Sequence, residues 1–83
     1  MMKNYINILS NIIPNMRTGT SINAPTAMEL IGMSFDVGGI NKGKNIAMGR
    51  ALGVLHNMGY ITPVGVTRYF NGKKTKIIDY VIV

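Results

Sequence analysis

An α+β domain is predicted for this chain, and two observations carry the prediction. Apolar residues recur at helical spacing in three segments ahead of residue 59, and an Asn71-Gly72 dipeptide separates two runs rich in β-branched and aromatic residues at the C-terminal end. The 83 residues, 47% hydrophobic and 14% charged, suffice for one core and one domain spanning 1–83.

The first helix is read from Tyr5, Ile8, Leu9, Ile12 and Ile13, which form one apolar stripe opposite Asn4, Asn7, Ser10 and Asn11; Pro14 ends it. A polar stretch, Asn15 to Ser21, leads to a short extended piece at Ile22. Pro25 then marks the start of a second helix, because a missing N–H is harmless in the first turn and the fixed φ already suits a helix. Its expected buried face is Ala27, Leu30 and Ile31, and Gly32 closes it. A linker from Met33 to Asn41, containing Gly38-Gly39, precedes a third helix over Lys42 to Met58. Within that helix Ala47, Ala51, Val54, Leu55 and Met58 fall on one arc and are expected to face the core. Lys42, Asn45, Gly49, Gly53 and His56 would lie opposite, with Lys44 and Arg50 on the flanks. Gly59 is a C-terminal signal, since a left-handed residue there closes the last turn without steric cost. The remaining chain is a hairpin, residues 61–70 and 73–83, turning at Asn71-Gly72 through a type I′ turn. A two-residue loop sets Phe70 opposite Lys73, Arg68 opposite Thr75, and Val66 opposite Ile77. The last strand is apolar on both faces apart from Asp79, so it is expected in the middle of a three-stranded sheet with the Ile22 segment as its other neighbour.

Composition narrows the chemistry. The absence of cysteine removes disulfides and thiolate metal sites and fits a reducing cytoplasm. Asn4, Asn7, Ser10 and Asn11 break any continuous apolar run that a secretion signal would need, and nothing approaches the roughly 18 apolar residues of a membrane span. The single histidine, His56, has no second ligand nearby in sequence and is read as a surface residue. Glu29, Asp36 and Asp79 belong to separate elements, Asp79 being expected to pair with a neighbouring base. No phosphate loop, nucleophile motif or metal spacing occurs, so no enzymatic activity, metal or cofactor is expected.

Charge is the most directional feature. Between Val37 and Ile78 lie seven basic residues (Lys42, Lys44, Arg50, Arg68, Lys73, Lys74 and Lys76) and no acid, so the net charge of +6 comes wholly from this half. Three of the bases are on the third helix and four flank the hairpin turn, a distribution suited to a polyanion. Lys42 and Lys44 also oppose the dipole of the helix they open, a conflict that a bound anion would relieve. Tyr69 and Phe70, interleaved among the hairpin cations, suit phosphate contact with stacking or minor-groove insertion. The alternative is that hairpin lysines guard a sheet edge against aggregation.

The order of elements resembles a winged helix-turn-helix domain. "GRALGVLHNMGYITPV" (Gly49 to Val64) carries most of the likeness, with Leu52, Leu55, Gly59, Tyr60 and Ile61 matching that family's passage from third helix to first wing strand. "APTAMELIGMS" (Ala24 to Ser34) is similar to its second helix. The Met33 to Asn41 linker is longer and richer in glycine than a tight helix-turn-helix turn, and Gly43, Gly49 and Gly53 each weaken the third helix by roughly 1 kcal/mol relative to alanine. The resemblance implies double-stranded DNA binding in transcription regulation or as an accessory factor. The third helix would enter the major groove, with Lys42, Asn45 and Arg50 reading bases and Lys44 beside them, and the wing cations Arg68, Lys73, Lys74 and Lys76 would contact the backbone. Gly49, with Gly53, could admit a phosphate or another helix, or could simply be tolerated. A homodimer bordered by Tyr5, Asn7 and Asn11 fits the habit of such domains. The rival expectation is a protein-interaction module, or small inhibitor, docking its basic face on an acidic protein, for which an exposed apolar patch including Met48 would be the mark.

Overall fold

The computed structural model describes residues 2–35 and 42–83. Its elements are α1 (Met2–Ile12), a 3₁₀ turn (Ile13–Asn15), β1 (Ser21–Ile22), α2 (Ala24–Leu30), α3 (Lys42–Asn57), β2 (Ile61–Phe70) and β3 (Lys73–Ile82). Three helices and a three-stranded antiparallel sheet of order β1-β3-β2 make the α+β fold.

Local chemistry sets the boundaries. The α-geometry of α1 stops at Ile12, two residues before Pro14, and the chain finishes in the 3₁₀ turn containing that proline. Asn23 caps α2: its Oδ1 accepts from the Thr26 N–H at 3.1 Å, while the Asn23 N–H donates to Thr26 Oγ1 at 2.8 Å. Both α2 and α3 end on glycines with positive φ, Gly32 at 76° and Gly59 at 90°. In each case the residue after the glycine reaches back five positions, Met33 N–H to Met28 O at 2.8 Å and Tyr60 N–H to Leu55 O at 3.1 Å.

The hairpin turn has Asn71 at φ 52° and Gly72 at φ 77°, the pair of positive angles that a type I′ turn needs. Phe70 pairs with Lys73 as expected, but the register then shifts. Tyr69 pairs with Lys74 and Thr67 with Ile77, so Arg68 faces the Thr75–Lys76 bulge and Val66 lies opposite Ile78, not Ile77. A second irregularity between Pro63 and Gly65 restores the original register, which brings Ile61 opposite Ile82. β3 is central: Ser21 pairs with Val81 and Ile22 with Tyr80 on its other side.

The core joins Tyr5, Leu9 and Ile13 from the first helical segment, Ala27 and Met28 from α2, Met48, Ala51, Leu52 and Leu55 from α3, and Ile22, Ile61, Tyr80 and Ile82 from the sheet. This corrects three expected faces. Ile8 of α1 and Leu30 of α2 are exposed, Met28 taking the place expected for Leu30. On α3 the buried arc is rotated towards Asn45, Met48 and Leu52, while Ala47 and Val54 sit half-buried at its flank and Met58 lies beyond the helix end, exposed. The reason is area: Met48 and Leu52 remove more apolar surface from water than Ala47 can.

A polar cluster at Asp79 and an aromatic pair tie the sheet to the helical part. The Asp79 carboxylate accepts from Asn23 Nδ2 at 2.9 Å and from Thr67 Oγ1 at 2.7 Å, linking β3 to the α2 cap and to β2. Among the described residues its donors are thus neutral side chains, in place of the neighbouring base expected. The ring of Phe35, just after α2, meets that of Phe70 edge-on at 5.2 Å and fixes the outer end of the hairpin to the α2–α3 connection. No helix among the described residues is long and apolar enough to cross a membrane.

Candidate nucleic-acid interface

α3 and the β2–β3 hairpin carry the basic residues. On α3, Lys44, Gly49 and Arg50 are exposed, as is Ile46 between them. Lys44 and Arg50 are six positions apart, about 9 Å along the axis at 1.5 Å per residue. The Lys42 side chain lies outside the described residues. Gly43, Gly49 and Gly53 share one property: a Cβ built on any of them would meet nothing within 4 Å. No contact among the described residues therefore requires glycine there.

Asn45 stands elsewhere than expected. It is 9% exposed and belongs to the inward side of α3, so its amide does not stand out from the helix as a base-reading side chain must. Met48 is likewise 0% exposed, which removes it from any interaction surface.

On the hairpin, Arg68, Lys73, Lys74 and Lys76 are all exposed. The aromatics beside them divide. Tyr69 is 65% exposed and stands in register with Lys74, whereas Phe70 is half-buried against Phe35 and is not available for stacking on a base. Bulges commonly re-aim a side chain. Here Lys76, at the bulge, lines a groove of about 410 Å³ between α3 and β3, whose opposite wall includes Gly49 and Arg50. Helix and hairpin cations thus meet across one cleft. Arg68, level with the bulge on β2, and Lys73 and Lys74, nearer the turn, do not line it.

His56 is exposed, as expected, yet anchored: its Nδ1 lies 2.9 Å from the Ile61 carbonyl. A carbonyl can only accept, so Nδ1 carries a proton. The ring also lies 6.2 Å from that of Tyr80, so His56 ties the end of α3 to the sheet. Of the three residues expected to border a dimer, Asn7 and Asn11 are exposed, but Tyr5 is 5% exposed and its hydroxyl points to Met33 Sδ at 3.7 Å. Tyr5 is core and not border.

Phe35, Ile46 and Ile78, which shape the groove, were not singled out from the sequence. A usable signal did exist for the first: Phe35 and Phe70 are the only phenylalanines of the chain, and they pack on each other. No family model matches the sequence, and no curated protein or solved structure matches it either.

Proposed function

We propose that the protein is a small winged-helix double-stranded DNA-binding protein, acting as a transcription regulator or DNA accessory factor. The observation that carries this reading is the basic surface shared by α3 and the hairpin, with Arg50 and Lys76 lining one cleft. The order α1-β1-α2-α3-β2-β3 with sheet order β1-β3-β2 supports it, because a winged helix has this arrangement of a third helix followed by a wing.

In this reading α3 lies in the major groove. Arg50 hydrogen-bonds a guanine edge through its planar fork, Ile46 packs on a thymine methyl, and Lys44 holds a phosphate beside them. Arg68, Lys73, Lys74 and Lys76 hold the backbone on the wing side, supplying most of the affinity and none of the sequence preference. Open space at Gly49 and Gly53 lets the backbone of α3 approach the duplex closely. Asn45 has no base-reading part. No catalytic step, metal or cofactor enters.

The test is a binding-site selection with wild type and Arg50→Ala. Loss of preference at one or two positions, about 1–3 kcal/mol each, is expected for the variant. An unchanged selected sequence would remove Arg50 from base reading.

A second reading has its own observation. Ile46 is 49% exposed and Ile78 42% exposed, apolar area beside the same cations. A docking module for an acidic protein would use this area and would show no affinity for duplex.

A further inference from the structure

We propose that the groove between α3 and β3 is a binding site for a small amphipathic anion, an aromatic or medium-chain carboxylate whose apolar body lies between helix and strand and whose charge is held by Arg50 and Lys76. The volume, about 410 Å³, falls in the range of small-molecule sites, roughly 300–1,000 Å³. Its walls are mainly apolar, with Phe35, Ile46, Ile78 and Tyr80 among them, and among the described residues Arg50 and Lys76 are the charged ones that line it. The lining thus combines a hydrophobic trough with one sign of charge, the complement of a molecule with an apolar body and an anionic end.

Two further observations select this ligand class. Ile46 and Ile78 remain 49% and 42% exposed although both border the groove, so an apolar body seated there removes from water surface that folding has left wet. A bare phosphate or nucleotide backbone would leave that surface uncovered. An extended peptide, the other apolar occupant, gains affinity by adding a strand to a sheet edge. β1 pairs with β3 at Tyr80 and Val81 alone, so the edge from Thr75 to Ile78 is open beside the groove, but a peptide backbone added there is neutral and brings no anion to Arg50 and Lys76. A carboxylate suits the cations because the guanidinium fork binds it in a bidentate manner, while the ammonium adds a point charge. The site shares Ile46, Arg50 and Lys76 with the proposed duplex surface, but its test needs no nucleic acid.

The experiment is a titration of isotopically labelled, DNA-free protein with 2-naphthoate, with the uncharged 2-naphthalenemethanol and with acetate, followed by amide NMR shifts. For naphthoate, saturable shifts are expected around Phe35, Ile46 to Leu52 and Thr75 to Tyr80, with a midpoint between about 10 µM and 1 mM. The alcohol should bind about tenfold more weakly, and acetate should produce no saturable shift in these residues. The double variant Arg50→Gln, Lys76→Gln should bind acid and alcohol alike. Ile46→Ser with Ile78→Ser should weaken both. These positions are exposed, so the variants retain the dispersed spectrum of the folded protein. Equal affinity for acid and alcohol in the wild type, unchanged naphthoate binding by the Arg50/Lys76 variant, or shifts spread equally over Arg68, Lys73 and Lys74 would each overturn the proposal.

Discussion

Gly49 separates stability from binding at a single position. It is exposed in the middle of α3 with open space where a Cβ would stand, so Gly49→Ala should stabilise the protein by about 0.5–1 kcal/mol and raise the melting temperature by a few degrees. If α3 approaches a duplex as proposed, the same methyl intrudes on the contact and duplex affinity falls. Thermal unfolding and fluorescence anisotropy on one preparation measure both; a stabilised variant with unchanged affinity would show that nothing approaches this face closely. Met48 behaves oppositely. At 0% exposure, Met48→Ala should lose about 2–5 kcal/mol in denaturant unfolding, whereas Ile46→Ala, two residues away and half exposed, should lose far less. Tyr80 adds a pH dependence. Burial raises its phenol above the ordinary value of 10.0, so the folded state holds this proton more tightly than the unfolded chain. The resulting stability is complete below the unfolded pKa and is lost as pH rises through the folded one. Denaturant melts from about pH 9 to about pH 11 should therefore show a steeper loss for wild type than for Tyr80→Phe.

The hairpin was legible in the sequence because its signal is local: Asn71 and Gly72 can both take positive φ, and two β-rich runs flank them. The middle position of β3 was legible from its apolar run. The Thr75–Lys76 bulge was not, since no residue there demands it and the register up to Lys74 is regular. The face of α3 was legible only in part. Ile46, Ala47, Met48, Leu52, Val54 and Met58 surround the helix with apolar side chains, and only packing against α1, α2 and the sheet decides which of them go inside. That ambiguity misplaced Asn45. The polar tie at Asn23 was also hidden, because its partner Asp79 is 56 residues away. Asn23→Ala removes a helix cap and an Asp79 donor together and should cost about 2 kcal/mol, more than a cap alone, in equilibrium unfolding. The Phe35–Phe70 contact makes a separate claim about the hairpin. Phe35→Ala should speed amide exchange around Phe70 to Lys74 while leaving exchange near Ile61 and Ile82, at the core end of the sheet, unchanged. Uniform acceleration throughout the sheet would mean that this contact supports the whole core, not the hairpin end alone.

The fold brings a helix and a hairpin of the same sign of charge to either side of one cleft, and the net charge of +6 resides in that half of the chain. Among the described residues the acids are placed away from it: Glu29 is on α2, and the Asp79 carboxylate is engaged by Asn23 and Thr67. Clustered cations on a stable fold attract phosphates, and each phosphate neutralised releases condensed counterions from the duplex. Salt dependence of duplex binding is accordingly the most direct measurement. With four to six of Lys44, Arg50, Arg68, Lys73, Lys74 and Lys76 in contact, log affinity for a random duplex should fall with log salt at a slope between about −3.5 and −5.5. Lys73→Ala with Lys74→Ala should reduce the magnitude by up to about 2 and weaken all sequences alike. Absence of measurable duplex binding at about 50 mM salt and micromolar protein, where the counterion term is strongest, would contradict DNA binding and reassign the basic face to an acidic protein surface.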